Sequence, residues 1–211
     1  MNRPSILDAV TQIAEIHGQM AKGEVYRGWR ATPVALSGLV GLAAAWFQRP
    51  SLGADDPRSF VIYWSVVAAA AAAVGLSEIV YAGLRTSFER RQTSRVAIQF
   101  LAPIVVAVLV TVTFIRLGAA LVALLPGLWA LCYGLAIFAA RPYLARGSGA
   151  VALYYTTCGT FLLWGAHTMI ARSPWAVGGV FGVGQLLGAA VIYWNLERET
   201  SGGFPGSERA L

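Results

Sequence analysis

Glu78 is the one acidic residue inside an apolar run of this chain. A carboxyl in apolar surroundings is costly unless paired or relayed, so it points first to proton or cation handling. Arg85 follows seven residues later and marks the end of the run, which puts Glu78 about 10 Å from that end at the α-helical rise. Two chemistries are open there. The carboxyl can form an ion site open to that side, or it can bond Gln99 at similar depth on the next helix or reach toward Arg85.

Thr156, Thr160 and His167 form a second constellation, with Thr157 and Thr168 beside it. Spacings of four and seven place the three on one helical stripe. Such a stripe can line a polar passage or a ligand site, or it can bond neighbouring helices at about 0.6–2 kcal/mol per bond. Gln185 falls at the depth of Thr160 if the two helices run as an antiparallel hairpin, and it is the expected partner. Glu78, Gln99, Thr156, Thr160, His167 and Gln185 make up the candidate polar or ion site.

Other chemistry finds little support. His17 is the only other histidine and lies at the opposite side, and no carboxylate accompanies His167 at its depth, so no metal centre is expected. Cys132 and Cys158 fall at matching depth on adjacent runs, where cysteine ordinarily behaves as a small hydrophobe. GVFGVG at 179–184 follows no strand and is not a nucleotide fingerprint. No nucleophile, base and orienting group come together at one depth. The reading is therefore of a protein that is not an enzyme and takes no cofactor.

The elements that must position these residues are six apolar runs, at about 32–48, 59–84, 95–115, 118–140, 149–170 and 174–196. The composition agrees: 57% of the 211 residues are hydrophobic and only 12% are charged, against roughly a quarter in soluble domains. A bilayer core about 30 Å thick takes roughly 20 apolar residues per helix. The expected fold is all-α, a polytopic membrane bundle of six transmembrane helices. Thr32 is placed to cap the first helix, with Pro33 in its opening turn. Pro103 and Pro126 fall inside the third and fourth runs and are expected to bend them. Very few residues, around 116–118, join those two runs, so a tight antiparallel hairpin is expected.

Arginine placement sets the orientation. Arg3, Lys22, Arg27, Arg30, Arg85, Arg90, Arg91, Arg95, Arg141, Arg146, Arg198 and Arg209 fall on one side. Arg49, Arg58, Arg116 and Arg172 fall on the other. Basic loops stay in the cytoplasm, so both chain ends are expected inside. Trp46, Phe47, Trp64, Trp164 and Trp175 toward one surface, and Trp29, Tyr81, Tyr143, Tyr193 and Trp194 toward the other, fit interfacial belts. The net charge of +6 forms no continuous stripe, which excludes nucleic acid. Arg85, Arg90, Arg91 and Arg95 are expected to meet anionic lipid headgroups.

Three segments result. Residues 1–30 carry an amphipathic helix on the inner surface, with Ser5 and Asp8 as a variant capping box and Ile6, Val10, Ile13, His17 and Met20 on one face. Residues 31–197 form the membrane domain, and 198–211 a flexible cytoplasmic tail. No short apolar segment with a small-residue cleavage site opens the chain, so no cleaved leader is expected. Gly178-x-x-x-Gly182 and Gly184-x-x-x-Gly188 lie on different faces of the last helix and allow close approach on two sides, including a contact between copies of the chain.

The stretches PGLWALCYGLAIFAARPYL (126–144) and PWAVGGVFGVGQLLGAAVIYW (174–194) resemble those of small uncharacterised bacterial multi-spanning membrane proteins, and the arginine-over-lysine, alanine-rich usage looks like that of a GC-rich bacterial genome. The resemblance runs from about the second helix to the sixth. It implies a multi-pass protein of the bacterial inner membrane and carries over no functional residue. The functional expectation is a regulatory, sensory or scaffold component working through its cytoplasmic face. The competing expectation is a small proton- or cation-coupled transporter or channel using Glu78 and the Thr156/Thr160/His167 stripe.

Overall fold

The computed structural model describes residues 30–48, 56–83, 87–168, 170 and 173–197, with side chains for all of these except 76–83, 87–95, 196 and 197. Among them every regular element is helical. In chain order these are α1 (Ala31–Phe47), α2 (Pro57–Gly83), α3 (Ser87–Leu117), the single turn α4 (Ala119–Val122), α5 (Leu125–Ala140), α6 (Ser148–Trp164) and α7 (Pro174–Ile192). A 3-10 turn at Arg141–Tyr143 closes α5, and a π turn at Tyr193–Glu197 closes α7.

Pro57–Gly75, Val96–Leu117 and Pro174–Asn195 are long and apolar enough to cross a membrane. Helix α1 is apolar but has 17 residues. Helices α5 and α6, with 16 and 17 residues, are also short of the roughly 20 that a full crossing takes. The described residues thus form an all-helical bundle with three membrane-length helices. The amphipathic segment at 1–29, Arg85 and the tail from 198 lie outside the described residues, as do the side chains of Arg90, Arg91 and Arg95.

Several boundaries differ from the hydropathy reading. Helix α1 opens at Ala31 behind Arg30, which makes no side-chain cap. Thr32 is therefore inside the first turn rather than capping it, while Pro33 takes the early position that needs no N–H. Helix α3 begins at Ser87, so the stretch holding Arg90, Arg91 and Arg95 is helix and not loop. Its 31 residues reach about 46 Å, more than a hydrocarbon core is thick. The fourth run is broken. Gly118 sits at φ 138°, ψ 161°, a conformation open essentially to glycine, and it ends α3. One helical turn and the bend at Ala123 and Leu124 then precede α5. Pro126 falls in the first turn of α5, where it starts the helix and bends nothing. Pro103 is within α3, where it removes a backbone bond. Helix α6 ends at Trp164, so His167 lies in the turn beyond it.

The packing follows from small residues. Helix α7 makes its most extensive contact with α1, and α5 with α6. A Cβ added to Gly38 would come within 2.8 Å of the Gly182 carbonyl, and one added to Gly127 within 2.8 Å of the Gly159 carbonyl. Such approaches need glycine on both helices. Helix α2 lies on α1, and α3 lies on α5 and more lightly on α2. With the α6–α7 contact, the six longer helices form a closed ring.

Specific pairs fix their directions. Ala45 and Trp64 meet at Gly178, and Tyr155 meets Gly184. Phe100 touches Tyr133 at a ring separation of 6.1 Å. With the contacts of Gly38 with Gly182, Trp129 with Thr111, Gly127 with Gly159, Gly134 with Thr156, and Gly147 with Val191, these pairs show that α1 and α7, α3 and α5, α5 and α6, and α6 and α7 run antiparallel. One end of the bundle gathers Trp46, Phe47, Trp164 and Trp175, all exposed, and the other carries exposed Tyr193 and Trp194.

Candidate functional site

The middle of the bundle holds a cluster of aromatic rings with polar tips. Tyr155 is fully buried. Its ring meets Tyr133 at 4.8 Å and Phe181 at 5.4 Å, and Tyr133 meets Phe181 at 5.6 Å. All three contacts are tilted or edge-on, the arrangements that the ring quadrupole favours. Phe181 packs against both of the larger buried clusters, one around Tyr155 and Ile137 and one around Trp64 and Leu125.

The polar atoms of this cluster tie helix to helix. Gln185 Nε2 donates to Tyr133 Oη at 2.6 Å, joining α7 to α5. Tyr154 Oη donates to the Val180 carbonyl at 3.1 Å, and Tyr155 Oη to the Phe181 carbonyl at 3.2 Å. Gly184 makes the last bond accessible, because a side chain there would collide with the Tyr155 ring. Farther along, Trp129 Nε1 donates to Thr111 Oγ1 at 2.8 Å, which joins α5 to α3.

This arrangement redirects two expectations. Gln185 pairs with Tyr133 and not with Thr160. The threonine hydroxyls turn back on their own helix: Thr160 Oγ1 bonds the Thr156 carbonyl and Thr156 Oγ1 the Ala152 carbonyl, each at 2.9 Å. A hydroxyl that bonds the carbonyl one turn earlier has no need of a second helix. The tyrosine ties were missed in the sequence because tyrosines in apolar runs read as interface anchors or bulk. The spacing of Gly184 from the Gly178 and Gly182 pair was their only trace.

Of the predicted site residues, Thr156 and Thr160 are together on α6, Thr156 half-buried and Thr160 exposed. Gln185 is on the aromatic cluster. Gln99 is half-buried on α3, next to Phe100, which touches that cluster. Glu78 is on α2, but its side chain is outside the described residues, so its pairing with Gln99 or Arg85 is outside them too. His167 is exposed in the turn after α6. It borders a shallow cavity of about 510 Å³ lined by Ala120, Ala123, Leu124, Leu163, Ala166 and Thr168. That cavity is separate from the Tyr133–Gln185 pair, so His167 and Gln185 do not share a site. Cys132 and Cys158 are both free thiols.

The glycine faces of α7 are filled within the chain. Gly178 meets Ala45 and the Gly41 carbonyl, Gly182 meets Leu42 and the Gly38 carbonyl, and Gly184 meets Tyr155. The close approach that the sequence reading extended to a second copy is made, at these three positions, by α1 and α6. Only Gly188 has room, its nearest neighbour being Val34 at 3.7 Å.

Two polar groups are buried near one end: Gln48, which the sequence did not single out, and Trp64, expected in the interfacial belt, which lies inside the packing instead. Gln48 and Trp64 are 6% and 3% exposed, and neither the Gln48 amide atoms nor Trp64 Nε1 has a hydrogen-bond partner. The Ala44 carbonyl accepts from the Gln48 backbone N–H at 3.0 Å and from Tyr63 Oη at 2.6 Å, and the Tyr63 ring meets that of Trp64 edge-on at 5.4 Å. Among the described residues no group of three or more metal-ligating side chains comes together.

No protein family matches this chain, and neither a curated protein nor a solved structure is similar to it.

Proposed function

We propose that this chain is a six-span protein of the bacterial cytoplasmic membrane, with both ends in the cytoplasm. It works as a non-enzymatic regulatory, sensory or scaffold component through its cytoplasmic face. The antiparallel helix pairs and the arginine distribution support the topology. Helices α1, α5 and α6 cross with help from their flanking residues, since a short span is accommodated by local thinning and by snorkelling side chains. The arginines at 85–95 meet anionic headgroups of the inner leaflet.

One observation carries the functional reading. Three polar side chains at mid-bundle are committed to bonds that hold helices together, Gln185 to Tyr133 and Tyr154 and Tyr155 to the α7 backbone. A conducting path needs polar groups turned toward a lumen. Here they are turned onto neighbouring helices, and the threonine stripe is turned onto its own.

Flux through purified protein in liposomes tests this. Protons, Na⁺ and K⁺ are expected to leak no faster with the native chain than with empty vesicles, and Glu78→Gln is expected to change nothing. Flux that Glu78→Gln abolishes would replace this reading with a coupled transporter or channel.

A further inference from the structure

We propose that the opening turn of α6, with Arg141 over it, binds a phosphate group, carried by a lipid headgroup or free in solution. The site lies apart from the groups used in the functional reading above, and only a lipid source rests on the membrane placement.

The helix starts with unmet donors. Helix α6 opens behind Gly147, which sits at φ 96° and has no side chain to cap with. The first N–H groups of a helix have no acceptor within it. Ser148 N–H finds the Ala145 carbonyl at 3.1 Å and Ala150 N–H the Gly147 carbonyl at 2.9 Å, whereas Gly149 N–H between them bonds no carbonyl among the described residues. Ser148 adds a second unmet group. It is 8% exposed, and its hydroxyl has no hydrogen-bond partner. Side chains on a helix tilt toward its N-terminus, so this hydroxyl is directed at the same end.

The charge gathered there is positive. Arg141 brings its guanidinium back across the loop onto Gly149, where an added Cβ would lie 3.2 Å from Nε and 3.4 Å from Cζ. A cation alone is misplaced at a helix N-terminus, whose own partial charge is positive. Arg146, exposed in the loop, adds a second cation. Among the described side chains the one carboxylate is Asp56, which is engaged at the start of α2, at the other end of the bundle.

An oxyanion at this turn answers each of these features. It accepts from Gly149 N–H and from the Ser148 hydroxyl, and it puts negative charge between the helix end and the guanidinium. Arg141 is exposed, so its long side chain is free to turn from Gly149 onto the ligand. Phosphate suits both partners, since helix N-termini bind it through backbone N–H groups and a guanidinium pairs with two of its oxygens. The level is also that of lipid phosphates. Gly147 lies against Val191, a Cβ on it coming within 3.3 Å of Val191 Cγ1, and exposed Tyr193 and Trp194 follow directly, as rings do at the headgroup level.

The test uses full-length protein in a neutral detergent, with melting temperature followed and bound probe counted by native mass spectrometry. Inorganic phosphate is titrated against chloride at matched ionic strength, and phosphatidylglycerol against diacylglycerol with the same acyl chains. At least one phosphate probe is expected to bind and raise the melting temperature where its phosphate-free control does not. A rise with phosphatidylglycerol alone assigns the site to a lipid headgroup, and a rise with inorganic phosphate assigns it to the free ion. No rise with either probe, or an equal rise with its control, overturns the proposal. Arg141→Gln, at an exposed position, is expected to weaken binding about tenfold, as the loss of one charge-assisted bond would. Ser148→Ala is expected to weaken it about fivefold, yet to keep or raise the melting temperature of the unliganded protein, because it removes a buried hydroxyl without a partner. Arg58→Gln, exposed at the other end, is expected to bind as the native chain does. Binding unchanged in both Arg141→Gln and Ser148→Ala, or weakened equally by Arg58→Gln, would also overturn it. Ion conduction does not bear on this turn, so the flux measurement above and this titration fail separately.

Discussion

Two glycines on one helix show how far packing decides what a residue is for. Gly184 and Gly188 are four residues apart on α7 and look alike in the sequence. Gly184 is pressed against the ring of Tyr155, whereas Gly188 has nothing nearer than 3.7 Å. The Tyr155 ring cannot swing away, since Tyr133, Tyr154 and Phe181 hold it on several sides. Gly184→Ala is therefore expected to lower stability by about 1–3 kcal/mol, the usual cost of overpacking a close-fitted core. Gly188→Ala is expected to be neutral or slightly stabilising, because alanine is the better helix former. Thermal melts of both variants in the same detergent check this, and equal losses would mean that the Tyr155 contact is not the constraint. The same rings explain why the predicted Gln185–Thr160 bond is replaced. The Thr160 hydroxyl already has a carbonyl one turn back on its own helix, while the Tyr133 hydroxyl needs a partner from another.

The helices themselves were largely legible as blocks of hydropathy, and their ends were less so. Hydropathy reports where apolar residues stop, but a chain leaves a helix for conformational reasons. Gly118 breaks the third run from the fourth through its backbone angles, and Pro126 restarts the helix from its first turn. Neither event changes the apolar character of the sequence. Helix α2 shows a start that chemistry does specify. Asp56 precedes Pro57, accepts the Arg58 amide at 3.0 Å and the Ser59 hydroxyl, and gives its carbonyl to the Phe60 amide. The Ser59 hydroxyl foremost, then the Arg58 and Ser59 amides and the Arg58 charge, hold the Asp56 carboxyl below the ordinary carboxylate range against a smaller opposing effect of burial. A depressed folded-state pKa gives stability that is full above the unfolded value, about 3.9, and is lost as pH falls through the lower folded value. Native protein is thus expected to lose melting temperature in this acid window more steeply than Asp56→Asn, which keeps a capping oxygen and has no proton to take up. Parallel curves from pH 7 to pH 3 would show that other carboxyls set the acid response.

At the scale of the whole molecule, the pairing of helices was the least legible feature, for a physical reason. Helices surrounded by lipid can be apolar on every side, so periodicity does not report which face meets which neighbour. Only the small residues carry that information, and the match of Gly38 and Gly41 on α1 with Gly178 and Gly182 on α7 joins positions about 140 residues apart in the chain. The packed ring nonetheless sorts its ends into two sets. Arg58 and Arg116 fall at the end that holds Trp164, and Arg30, Arg141 and Arg146 fall at the end that holds Trp194. Geometry supplies the two ends, and the proposed topology takes its side from the arginine excess, because basic segments resist translocation. This combination predicts the labelling of single cysteines placed in a chain whose Cys132 and Cys158 are changed to alanine. With an impermeant maleimide added to spheroplasts, Arg116→Cys and Ile170→Cys are expected to react directly, and Arg146→Cys only after permeabilisation. The reverse pattern would invert the topology. Reaction at Arg146 and Arg116 alike in sealed spheroplasts would mean that α5 does not separate two compartments, and the six-span reading would fail at the short helix where it is most exposed to test.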